Sequence, residues 1–166
     1  FNVGFAEDVK KWTIKCASNS DQAVRKTVLR VVDSIVEMSP VGNPEIWKDW
    51  EKGGVAANQD HWLVTTGFVG EGYVGGHFRA NWQLGIGSLP TGEVEGVDPS
   101  GAATKAKAEA AIPAKAAGHV YYFGNNLPYA IPLEEGHSTQ APYGMVGLTA
   151  VRFTEFAEKA AAEVNK

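Results

Sequence analysis

The groups in this 166-residue chain that could do chemistry are four histidines, one cysteine, a pair of adjacent acids and a glycine-rich run. His61, His77, His119 and His137 fall in four separate segments, and no two stand four apart as a helical zinc pair would. Cys16 is the sole cysteine, which excludes an internal disulfide and any cysteine-rich metal site. It lies in a helical pattern and is expected to be a small buried apolar side chain. Glu134 and Glu135, with His137 close by, could meet a metal or supply the acid of a small hydrolase, but adjacent acids in a turn ordinarily form a solvated edge. Ser138 next to His137 has neither the G-x-S-x-G elbow nor an evident third triad member. Gly70, Gly72 and Gly75 fit G-x-G-x-x-G, yet Gly76 and an Arg-Ala-Asn-Trp segment follow in place of the expected helix or lysine strand. Among nineteen glycines that match reads as a loop. No catalytic residue, metal site or cofactor is expected.

The elements that would hold these groups begin with one long helix over residues 5–37. Phe5, Val9, Trp12 and Cys16 recur at steps of three and four, and Val24, Val28, Val31 and Ile35 resume the pattern. The polar stretch Ser18 to Asp21 leaves room for a bend or a split. Ser39-Pro40 ends the helix, because the residue before proline is pushed out of the α region. Such a helix is about 50 Å long, more than a domain of this size needs for its own core, and the excess points to a neighbour.

Residues 42–75 form a Trp-rich insertion. Trp47, Trp50 and Trp62 either fold back on the domain or serve as intersubunit anchors, where Trp is enriched. Arg79 to Gly87 reads as the start of a strand, with Trp82, Leu84 and Ile86 alternating against Gln83 and glycines. The Arg79 guanidinium is expected against an acid, with the Trp82 indole filling the core beneath. Residues 89–118 are Ala/Lys-rich with Ile112 as the only large apolar side chain after the opening turns, and they read as a mobile arm dispensable for folding. A short strand follows from His119 to Gly124, with Val120 and Tyr122 on one face and Tyr121 and Phe123 on the other.

Residues 125–145 are a shaped loop. Pro128, Pro132 and Pro142 each fix φ and lack an amide donor, so neither a long helix nor a central strand runs through it. One helical turn over Tyr129 to Glu135 would put Leu133 beside Tyr129 and Ala130, with Glu134 and Glu135 pointing away. A C-terminal helix is expected over 143–165, with Val146, Thr149, Phe153, Phe156, Ala160 and Val164 on one face. The expected fold is a single α+β domain: long N-terminal and C-terminal helices packed on a small antiparallel sheet, with long loop and arm insertions.

Composition narrows the class. No apolar run approaches the ~20 residues of a membrane helix, and no secretory leader pattern is visible. Net charge is −4 without a basic block, which argues against a protein that grips nucleic acid through counterion release.

Three stretches taken together carry a family resemblance: SPVG at Ser39 to Gly42, GGHFRANWQLGIG at Gly75 to Gly87, and NNLPYAIPLEEGHSTQAPYGMV at Asn125 to Val146. They resemble tailed-phage neck proteins, the tail-completion or minor tail components at the head–tail junction. That family has a long N-terminal helix ending in Ser/Thr-Pro-Val, then an Arg-containing segment ending in Asn-Trp. A later stretch reads Asn-Asn-x-x-Tyr-Ala, Leu-Glu-x-Gly, Ser-x-Gln-Ala-Pro and Gly-Met-Val. The resemblance spans roughly residues 5–156 and departs after Val41, where the Trp-rich stretch replaces a short link.

The resemblance implies a structural virion protein. Six or twelve identical subunits would form a ring in the neck that completes the tail and meets the head connector and the tail terminator or tube. Genome DNA would pass through without sequence-specific binding, and assembly would take place in the host cytoplasm with no membrane involved. Arg79, Trp82, Asn126, Tyr129, Glu134, Gln140, Trp47 and Trp50 are the candidate structural or interface residues. Glu134 and Gln140 are expected at the turn edge, important for association and of little weight in the fold. Two other readings stay open: a small hydrolase or carbohydrate-acting enzyme using Glu134 or Glu135, and a monomeric adaptor that binds one protein partner.

Overall fold

A computed structural model describes residues 3–42 and 75–166 of the chain. Its elements in order are α1 (Val3–Met38), a short α2 (His77–Ala80), β1 (Trp82–Ile86), α3 (Ala102–Ala111), β2 (Tyr121–Asn125), a short α4 (Ala130–Glu134), α5 (Val146–Val151) and α6 (Phe153–Val164). The architecture is α+β: a long N-terminal helix and C-terminal helices on a small antiparallel sheet.

α1 runs unbroken through the polar stretch that could have split it. Ser20 donates back to the Cys16 carbonyl, 2.9 Å, so its hydroxyl stays within the helix. Asp21 points outward and accepts the Ala117 amide at 2.9 Å. The helix stops where Ser39 meets Pro40, with the Ser39 hydroxyl bonded to the Ile35 carbonyl at 2.7 Å.

β1 and β2 pair antiparallel, Trp82 opposite Asn125, Leu84 opposite Phe123 and Ile86 opposite Tyr121. Side chains two apart share a face, which puts Trp82, Leu84 and Phe123 on the side that meets α1. The core gathers Val32, Ile35 and Val36 of α1 with Phe78, Trp82, Ala108, Leu127, Ala141 and Met145. Trp82 stacks on Phe123 with ring centroids 5.3 Å apart and meets the edge of Phe78 at 5.8 Å. α6 lies along α1, where Lys26 and Arg30 both bridge to Glu163 and Phe156 and Ala160 are buried.

Several expectations need correction. Residues 89–118 are not an arm standing off the fold. They include α3, whose Thr104 and Ala108 are buried together with Ile112 and Ala116. The reason is that small residues let backbones approach closely, so a segment poor in bulk still packs. Gly101 shows how close the approach is: a Cβ there would lie 2.4 Å from Val36 Cγ1. Asp98 starts the helix, accepting the Thr104 amide at 2.7 Å and its hydroxyl at 2.8 Å, and Arg25 of α1 closes it by donating to the Ile112 and Glu109 carbonyls.

The C-terminal helix begins at Val146, not 143, and breaks at Arg152 into α5 and α6. Gly144 takes a positive φ of 73°, which ends the shaped loop before the helix can start. The second strand covers Tyr121–Asn125, shifted by one or two residues from the expected range, and Val120 is exposed. Arg79 lies in α2 and not in the strand.

Candidate interaction surface

Most of the residues singled out from sequence turn out to brace the fold internally. The Trp82 side chain is 7% exposed, and its indole N–H donates to Ser39 Oγ at 2.7 Å. Arg79 was expected to face an acid. Its guanidinium instead donates to three backbone carbonyls, Pro99 at 2.6 Å, Ser39 at 2.7 Å and Glu37 at 3.3 Å. Those carbonyls lie at the end of α1 and in the turn before α3, so one side chain ties both to α2. Burial lowers its pKa against the opposing fields of Asp98 and Glu37, and a guanidinium stays charged regardless.

Glu134 does not point away from the chain. Its Oε2 accepts the Met145 and Val146 amides at 2.8 and 2.9 Å, and Oε1 accepts the Gly147 amide at 2.8 Å. Those N–H groups open α5 and have no partner within the helix, so a carboxylate from eleven residues upstream serves as the cap. Burial pushes the Glu134 pKa up, but the amides of Gly147, Val146 and Met145 outweigh it and the net shift is downward. Gln140 likewise pairs with Val41, accepting its amide at 3.2 Å and donating to its carbonyl at 2.9 Å. Asn126 donates to the carbonyls of Pro90 and Gly92. Tyr129 is half exposed, its ring 6.0 Å from Phe78. Trp47 and Trp50, with the rest of the Trp-rich insertion, lie outside the described residues.

Asn81 escaped the sequence reading. It is fully buried, and its side chain accepts the Val94 amide and donates to the Val94 carbonyl, as a paired strand would. Its one signal was the Asn between Arg79 and Trp82, with no partner visible in sequence.

What the described surface offers is apolar contact area. Every described side chain from Gly4 to Ser18 is exposed, including Phe5 at 70% and Trp12 at 67%. This half of α1 is a stem about 22 Å long. Cys16 is on it and exposed, contrary to expectation, because nothing among the described residues covers this part of the helix. Beside the sheet an open apolar groove of about 720 Å³ runs between the second half of α1, the α5–α6 corner and the sheet face. Val24, Val28, Val31, Phe123, Val146 and Phe153 line it. The shaped loop adds exposed Ile131 and Tyr143. Nothing among the described residues covers this surface, and monomeric proteins seldom expose large contiguous apolar patches unless they are used.

No group of three or more metal-ligating side chains lies together among the described residues, and no helix among them is long and apolar enough to cross a membrane. Comparison with protein-family models, with curated proteins and with solved structures finds no match.

Proposed function

We propose that this chain is an assembly subunit of a tailed-phage neck, forming a ring that completes the tail and joins it to the head, with DNA passing through. The observation that carries the assembly part is the apolar stem on a chain that also bears an open apolar groove. The neck assignment rests on the resemblance of Ser39–Gly42, Gly75–Gly87 and Asn125–Val146. The geometry explains why such residues would recur together: Ser39 bonds Trp82 and Arg79, and Gln140 bonds Val41, so the three stretches meet in one brace. Identical subunits, six or twelve by the resemblance, would close the ring, with the head connector and the tail tube or terminator on its two sides.

The hydrolase reading has less support. A general acid near neutral pH needs a raised pKa and a free oxygen, whereas both Glu134 oxygens hold backbone amides and its pKa is lowered. The test is complementation of a phage lacking this gene. With the wild-type chain, joined infectious particles are expected; without it, separate heads and tails should accumulate. Joined particles in its absence would refute the neck role.

A further inference from the structure

We propose that residues 88–97 form a strap that opens and closes as one unit over the sheet, held shut by side-chain amides, while the rest of the described fold stays intact. The strap runs from the end of β1 to Asp98 across the sheet face turned away from α1.

Its backbone is paired only at the two ends. The Gly87 amide donates to the Val120 carbonyl at 2.8 Å and the Asp98 amide to the Gly76 carbonyl at 3.1 Å. Between them, among the described residues, no backbone–backbone hydrogen bond involves residues 88–97. Side chains of the body pair with the strap instead. Asn81, fully buried, accepts the Val94 amide at 2.7 Å and donates to the Val94 carbonyl at 3.0 Å. Gln83 and Asn126 both donate to the Gly92 carbonyl, at 3.0 and 2.9 Å, and Asn126 also reaches the Pro90 carbonyl at 3.1 Å. His77 Nδ1 donates to the Gly96 carbonyl at 2.8 Å. The strap is in effect a third strand whose ladder is made of side chains.

Little apolar burial resists its opening. No residue of the strap is buried; Pro90 and Val94 are half-buried, and the others, Leu89 and Val97 included, are exposed. The seat beneath is flat. Gly85 and Gly124 alternate with Leu84 and Phe123 and so face away from α1. A Cβ at Gly85 would lie 2.2 Å from the Ser88 carbonyl oxygen, and one at Gly124 would lie 3.1 Å from Leu89 Cδ1. A segment resting on two glycines lifts without drawing a side chain out of a socket there. Its ends can turn as well: Gly87 and Gly96 have φ of 76° and 100°, with open space where a Cβ would be.

Opening therefore breaks side-chain hydrogen bonds that water largely replaces, while the packed cluster around Trp82, Phe78 and Met145 is untouched. Segments held in this way open far more often than the whole molecule unfolds. Each opening uncovers Asn81, Gln83, Asn126 and the glycine seat, so the outer face of the sheet has a covered and an uncovered state.

The test is native-state hydrogen exchange, read residue by residue by NMR on the purified full chain. The Val94 amide should exchange about a hundredfold or more faster than the amides paired between β1 and β2. Low denaturant should speed the sheet amides steeply and leave Val94 nearly unchanged, because local opening exposes little surface. Gln83 and Asn126 are half-buried, and their listed bonds go to the strap alone. The double variant Gln83→Ala/Asn126→Ala should speed Val94 exchange about tenfold or more and leave the sheet amides as they were. Val94 exchange that matches the sheet amides in rate and denaturant dependence would overturn the proposal, since the strap would then open only with the whole fold. So would a double variant with unchanged Val94 exchange, one in which strap and sheet amides speed up equally, or a wild-type Val94 amide with no protection at all.

Discussion

Trp82 and Glu134 stabilise the fold by different means, and the difference sets what each substitution should do. Trp82 contributes mainly buried area and ring packing, so Trp82→Ala should destabilise the protein by about 3–5 kcal/mol in denaturant unfolding. Trp82→Phe keeps much of that packing but leaves the Ser39 hydroxyl without the indole donor, and should fall well short of that loss. An unchanged unfolding midpoint for Trp82→Ala would contradict its place in the core. Glu134 acts through charge on three amides. Because the Val146 and Gly147 residues are exposed and water can replace the carboxylate, Glu134→Ala should cost only about 1–2 kcal/mol. Its folded pKa is depressed, as is that of Asp98, where burial is outweighed by the Thr104, Ser100 and Gly101 hydrogen bonds. A depressed carboxylate stabilises the folded state above its unfolded pKa and loses that contribution as pH falls through the folded one. Unfolding midpoints should therefore be flat above about pH 5 and drop below about pH 4. Glu134→Gln should flatten part of that drop, and an identical acid profile in the variant would rule out the cap as its source.

The helices divide by whether their faces are covered. α3 packs on α1 through alanine, so Ala108→Leu should overpack the contact and cost about 1–3 kcal/mol in thermal or denaturant unfolding. A neutral outcome would mean that the α1–α3 contact yields easily. The stem of α1 has no such cover among the described residues, and removing residues 3–17 should leave the unfolding midpoint of the remaining chain nearly unchanged. A large drop would place the stem in the fold. These two helices also show what could be read from sequence. α1 was legible almost to the residue, because its apolar spacing is long and Ser39-Pro40 stops it. α3 was not, because alanine and threonine carry no bulk signal and their burial depends on Gly101, Asp98 and Arg25 from elsewhere in the chain. The candidate interface residues divided in the same way. The excess helix length pointed to the stem, while Glu134 and Gln140 were misplaced because sequence shows neither Val41 nor the α5 amides beside them.

At the scale of the whole molecule, a braced body holds a projecting apolar helix and an apolar groove on one chain. Arg79, Trp82, Asn81 and Gln140 fix the body, and among the described residues the stem and groove are the large apolar surfaces left exposed. This explains how three distant stretches of sequence can be bound together by structure even if none of them touches a partner. It also changes which substitutions should affect assembly: those on the stem and the groove wall, more than those in the shaped loop. The most direct measurement is electron microscopy of particles from a phage lacking this gene, supplied either with the wild-type chain or with Trp12→Glu. Wild-type protein should give heads joined to tails, and the variant, folded and present at equal level, should leave heads and tails apart. Joined particles without any copy of the protein would contradict the neck role outright.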